Sequence, residues 1–136
     1  MPRLPRYLLP AHGIYHVTTR GVARHAIPRD DDDRRLFLAL LAKVTLRADW
    51  DSHVFCLMPN HYHLVVETHR DLLSWGLYRL NGVYAQAFNE RHERSGHLFG
   101  DRFAAFAIHD EKHLRDACEY VLQNPVRAGL CNRAAD

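Results

Sequence analysis

At His61-Tyr62-His63 two imidazoles flank one bulky apolar residue. In an extended chain, residues two apart share a face, so both imidazoles point the same way and Tyr62, Leu64 and Val66 point the other. Two neutral imidazoles on a rigid strand make half of a divalent-metal site. Far along the chain, Tyr120 and Asn124 stand four apart, the spacing that stacks side chains on one helix face. An Asn amide oxygen can serve as a third ligand. A phenol with an ordinary pKa of roughly 10 is a weak nucleophile until a cation or proton acceptor assists it. A metal would also polarise a phosphoryl oxygen. Phenol attack on a phosphodiester leaves a covalent phosphotyrosine that keeps the energy of the broken bond, which suits cutting and rejoining a strand without ATP. Each residue also has a plainer use: imidazoles on a solvated strand, a packed tyrosine, and Asn124-Pro125 as a helix stop.

The surrounding elements must bring these groups together. Residues 1 to about 12 hold three prolines and read as an arm. Gly13 to Gly21 reads as a strand, with Tyr15, Val17 and Thr19 on one face and His16, Thr18 and Arg20 on the other. Asp30 to Asp33 open a helix that runs to about Ala48, where acidic residues suit the macrodipole. Ser52–Met58 and His61–Glu67 read as strands joined by a Pro59-Asn60 turn, hence an antiparallel hairpin. A long amphipathic helix follows from Leu72 to about Glu90, then a basic loop to Gly100 and a strand over Arg102–Ile108. The last helix opens at Asp110 or Glu111 and is expected to end near Asn124, because Pro125 disfavours helical geometry before it.

The order is β-α-β-β-α-β plus a helix, which predicts an α+β, ferredoxin-like (RRM-like) antiparallel sheet. Two helices would cover one face. His61, His63, Val65 and Glu67 would look to the open face. On the last helix Leu114, Ala117, Cys118 and Val121 form an apolar stripe. If that stripe packs on the open face, the C-terminal helix carries Tyr120 and Asn124 toward the histidines.

Composition sets the outer limits. The chain has 136 residues, 47% hydrophobic and 25% charged, as expected of one globular domain spanning 1–136 with a tail from about 125. The net charge of +2 does not by itself demand nucleic acid, but only Lys43 and Lys112 are lysines among 18 basic residues. Arginine forks suit phosphate and base edges, and a GC-rich genome gives the same bias. Cys56, Cys118 and Cys131 form no CxxC pair, so no zinc ribbon or disulfide framework is indicated. No signal-like or membrane-spanning run appears, and a cytoplasmic protein is the expectation.

Four segments carry a family resemblance: Tyr15-His16-Val17-Thr18-Thr19-Arg20-Gly21, Met58-Pro59-Asn60-His61-Tyr62-His63-Leu64, Gly96-His97-Leu98-Phe99 with Arg102-Phe103, and Tyr120 through Asn124-Pro125-Val126-Arg127-Ala128-Gly129-Leu130. In this order and spacing the chain resembles the single-tyrosine HUH transposases, and within them the REP-associated tyrosine transposase branch, over roughly Gly13 to Leu130. The resemblance implies a metal-dependent enzyme that cleaves and rejoins single-stranded DNA. His61 and His63 would bind Mg²⁺ or Mn²⁺ with Asn124 as third ligand, and Mn²⁺ is the better match to imidazole. Tyr120 would form a 5′-phosphotyrosine, and hairpin-forming REP-like repeats would be the substrates. Relatives act as dimers or alone, and the balance falls slightly toward a homodimer.

Other residues are weaker candidates. His16, Arg20, Arg91, Arg94, Arg102 and Arg127 can contact DNA; surface solvation is an equal alternative for Arg20, and for each of Arg91, Arg94, Arg102 and Arg127 a solvated charge is the commoner reading. Glu67 shares the histidine face and can support the ligands from behind, with a solvated strand-end charge as an equal reading. Members of the branch often continue into a tail with a Trp-Ser-Ser motif that these residues lack. That favours, as the alternative, a domesticated hairpin-binding protein without catalysis.

Overall fold

The computed structural model describes residues 11–100 and 102–127, the side chains of 124–127 excepted. Strand β1 (His12–Arg20) leads through a single 3-10 turn at Val22–Arg24 into helix α1 (Asp31–Arg47). Strands β2 (Asp51–Leu57) and β3 (His61–His69) follow, then α2 (Arg70–Arg91), β4 (Ala104–Ile108) and α3 (Glu111–Arg127). The sheet is fully antiparallel in the order β2-β3-β1-β4. This is the α+β, ferredoxin-like arrangement that the sequence predicts, with an added C-terminal helix.

Alternation along the central strands decides which side chains meet the helices. Tyr15 and Val17 of β1 and Tyr62, Leu64 and Val66 of β3 are buried with Phe37 and Leu41 of α1 and Leu77, Leu80, Tyr84 and Phe88 of α2. Each fully buried aliphatic side chain contributes about 1.5–3 kcal/mol. The buried Tyr62 hydroxyl donates to Asn81 Oδ1 at 2.5 Å, and that of Tyr84 to the Ile27 carbonyl. Gly76 lets α2 approach Trp50: a Cβ there would lie 2.4 Å from the indole ring. Gly76→Ala should therefore cost about 1–3 kcal/mol in urea unfolding despite alanine's better helix propensity. An unchanged midpoint would show that Trp50 can move aside.

The other sheet face has its own smaller core. Val65 and Ile108 pack with Ala117 and Val121 of α3, flanked by Ile14, Val54, Cys56, Leu114 and Cys118. The apolar stripe of α3 thus lies on the face that α1 and α2 leave open, and Cys56 and Cys118 are small packing residues.

Several boundaries differ from the sequence expectation: β3 runs on to His69 and α2 starts at Arg70 rather than Leu72. Helix α3 does not stop near Asn124 but continues to Arg127, so no tail begins at 125. Proline forfeits its own amide bond, yet donors further along still close the turn, and the bias on the preceding residue is a preference only. Strand β4 starts at Ala104, two residues after Arg102. No described helix is long and apolar enough to cross a membrane.

Candidate functional site

The Pro59-Asn60 turn that precedes His61 is held from two sides. The Gly21 amide donates to the Asn60 carbonyl at 2.8 Å, and the Ile27 amide to that of Pro59 at 2.9 Å. Only glycine fits at position 21, where a Cβ would lie 2.4 Å from the His25 carbonyl oxygen. The fixed turn places Asn60 Oδ1 2.7 Å from His61 Nδ1. An amide oxygen only accepts, so Nδ1 carries the proton and Nε2 carries the lone pair. His63 is oriented through the same atom: its Nδ1 lies 3.0 Å from His16 Nε2. The two rings stand edge to face, 4.9 Å apart.

Burial holds His61 below the ordinary imidazole pKa, and Arg20, opposite it on β1, adds to the effect. Burial also lowers His16, with a smaller contribution from His113. His63 is 5% exposed. Imidazoles held through Nδ1, with Nε2 left as the ligand atom, fit a divalent metal.

Helix α3 brings the phenol to this pair within the same chain. The Tyr120 ring lies 5.8 Å from that of His63 and 5.9 Å from that of His16, edge-on to both. It is half exposed, at the rim of the α3 packing. Asn124 follows one turn later on the helix, and its side chain and that of Arg127 lie outside the described residues.

Beside the histidines, Thr18, Arg20, Gly21, Ala23, Arg24, Gly100, Arg102 and Ala104 line a pocket of about 390 Å³. Ala23 and Arg24 hold φ of +49° and +60°, backbone that non-glycine residues adopt at a cost and that clusters at ligand sites. The Thr18 hydroxyl, opposite His63 on β1, is buried without a hydrogen-bond partner among the described residues. Three arginines and a buried hydroxyl give this pocket groups that suit an anion. Arg24 has no sequence signal of its own, and only the 3-10 turn reveals it.

Other expected contacts lie elsewhere. His16 is not a surface group awaiting DNA; it sits between His63, Tyr120 and Phe106. Glu67 does not back the histidines. It lies four residues along β3 from His63, about 13 Å away, with Oε2 3.3 Å from His12 Nε2. Arg94 bridges Asn89 and the carbonyls of Gly96 and His97, which shapes the loop after α2.

Arg91 joins the C-terminus of α2 to the start of α1, 2.7 Å from both Asp30 and Asp33. That pairing takes its charge away from DNA. Hydrogen bonds from Arg91 and the Asp33 amide hold Asp30 down to about 2. Burial raises Asp33, but bonds from the Arg29 amide, His92 and Arg91 outweigh it, and its pKa is lowered. Carboxylates with depressed pKa values stabilise the fold fully above the unfolded value, and that stability is lost as pH falls through the folded one. The urea midpoint should therefore drop on acidification from about pH 4 toward 2, and less steeply in Arg91→Met. Equal slopes would remove Arg91 as the cause.

Fold and site together define a ferredoxin-like domain with two imidazoles and a phenol on its open sheet face. The IS200-like transposase profile matches residues 11–124, and the chain belongs to that family. Among solved structures, a REP-associated tyrosine transposase bound to a REP hairpin is similar at TM-score 0.77 and 19% identity, covering 100% of this chain and 79% of that one. A crystal structure assigned as a transposase from Deinococcus radiodurans R1 is similar at TM-score 0.58 and 14% identity, covering 91% and 97%. No curated protein matches significantly.

Proposed function

We propose that this transposase cleaves and rejoins single-stranded DNA through Tyr120, at hairpins of the REP type, with a divalent metal held by His61, His63 and Asn124. The carrying observation is Tyr120 standing against His63 and His16 beside an arginine-lined pocket. The hairpin in the related structure supports the substrate class. Continuation of α3 one turn past Tyr120 supports Asn124 as the third ligand. Mn²⁺ or Mg²⁺, when bound, would polarise a phosphoryl oxygen and offset the charge that builds there.

The chain's own groups do the rest. Arg20, Arg24 and Arg102 hold the phosphate-rich strand so that a phosphorus lies in front of the Tyr120 hydroxyl. The phenol oxygen attacks phosphorus and gives up its proton. The bond to the 3′ oxygen breaks, and that oxygen leaves as a 3′-hydroxyl after taking a proton. The 5′ phosphate remains on Tyr120 as a phosphodiester. Attack by another 3′-hydroxyl reverses the sequence and joins the strands. The packing of α3 on its own sheet supports an active site assembled within one chain.

The test is a labelled single-stranded hairpin from the host's extragenic repeats, incubated with the protein and Mn²⁺. A denaturation-resistant protein–DNA band is expected, and none without metal. Tight hairpin binding with no band in any divalent metal would overturn the enzyme reading in favour of a hairpin-binding protein.

His16 acts on this chemistry through His63. His16→Ala removes the ring that is hydrogen-bonded to His63 Nδ1 and should weaken Mn²⁺ affinity about 10–100-fold. Titration followed by electron paramagnetic resonance measures this directly. Undiminished affinity would leave His16 as packing alone.

A further inference from the structure

At the end of the sheet face away from Tyr120, three side chains from two adjacent strands converge, Asp51 and His53 of β2 and Glu67 of β3, and His12 of β1 reaches the same Glu67 from its other side. Ligand atoms of Asp51, His53 and Glu67 all lie within 4.8 Å of one another. Glu67 Oε2 is 3.3 Å from His12 Nε2, and its Oε1 is 3.9 Å from His53 Nε2.

The backbone departs from regularity to make this cluster. Ser52 pairs with Val66 while Val54 pairs with Val65, so His53 is an extra, unpaired residue. Val54 packs under α3. Strict alternation would then send His53 to the face covered by α1 and α2. The bulge instead sets it beside Glu67. Bulges interrupt the ladder and recur where a side chain must be re-aimed. A partly exposed histidine–glutamate pair contributes only about 0–1 kcal/mol, too little to account for the interruption.

We propose that His12, Asp51, His53 and Glu67 form a second divalent-metal site, of the zinc class, distinct from the His61/His63 pair. Mixed imidazole and carboxylate donors favour Zn²⁺ over Mg²⁺. Around a tetrahedral ion with bonds of about 2.0–2.1 Å, neighbouring donors stand about 3.3–3.4 Å apart. The His12–Glu67 pair is already there, and His53 needs only a small rotation. The ion would tie edge strand β2 to β3 and β1 just before the chain enters α2. This site is about 13 Å from His63 and does not depend on the proposed DNA chemistry.

The test uses the full chain carrying His61→Ala and His63→Ala, so that the first pair cannot respond. Calorimetric titration with Zn²⁺ should show one equivalent bound, unaffected by millimolar Mg²⁺. Adding His53→Ala or Glu67→Gln should weaken it at least about tenfold. Circular dichroism checks folding. On the unsubstituted protein, Zn²⁺ should shift the imidazole nitrogen resonances of His12 and His53, which needs no variant. The proposal fails if the chain lacking His61 and His63 binds no stoichiometric Zn²⁺. It fails equally if binding survives His53→Ala with Glu67→Gln, or if the His12 and His53 resonances do not move.

Discussion

Tyr120→Phe should abolish the covalent protein–DNA product while leaving hairpin affinity within about twofold of the parent. Loss of a catalytic nucleophile removes at least about 10⁴ in rate. The variant is informative because phenylalanine keeps the ring. Its edge contacts to His16 and His63 survive, and the site is half exposed. Substitution there should change folding stability by less than about 1 kcal/mol. The arginines beside the histidines are untouched, so salt-dependent binding should persist. The assay compares labelled hairpin retained under native and denaturing conditions. A denaturation-resistant band of parental intensity would show that another group attacks, and the assignment of Tyr120 would fall.

The paired histidines and the tyrosine helix were legible because they follow simple periods. Alternation on β3 separates Tyr62, Leu64 and Val66 from His61, His63 and Val65, and the α3 stripe follows the helical repeat. What escaped was what periodicity does not encode. The bulge at His53 breaks the alternation that would have placed it, so its meeting with Glu67 and His12 is visible only in three dimensions. Sharing a face assigned Glu67 to the histidines, yet a strand of nine residues separates its two ends by more than a side chain's reach. Arg91 looked like a DNA contact because its acidic partners lie some sixty residues earlier. His16 looked like a surface residue because nothing local announces that α3 will cover it. Pro125 has the local chemistry of a helix stop, yet α3 runs through it to Arg127.

Removing the metal pair should be as damaging as removing the tyrosine, and in a distinguishable way. His61→Ala and His63→Ala each delete one nitrogen donor, and two remaining ligands hold Mn²⁺ poorly. Each should lose at least about 10³ in adduct formation and abolish stoichiometric Mn²⁺ binding by paramagnetic resonance, whereas Tyr120→Phe should leave Mn²⁺ bound. Hairpin affinity should change little in all three, because Arg20, Arg24 and Arg102 are retained. The combination of His61→Ala with His63→Ala is the sharper experiment. Groups that act as one unit are not additive, so the double variant should be no slower than the worse single one. If the losses instead multiply, the two histidines serve separate steps. His63→Ala also strips His16 of its partner and should lower the urea midpoint, whereas His61→Ala loses a bond to Asn60 in a turn already held by Gly21 and Ile27, and an edge contact with His63. Equal catalytic losses with unequal stability losses would separate the chemical role of these imidazoles from their structural one.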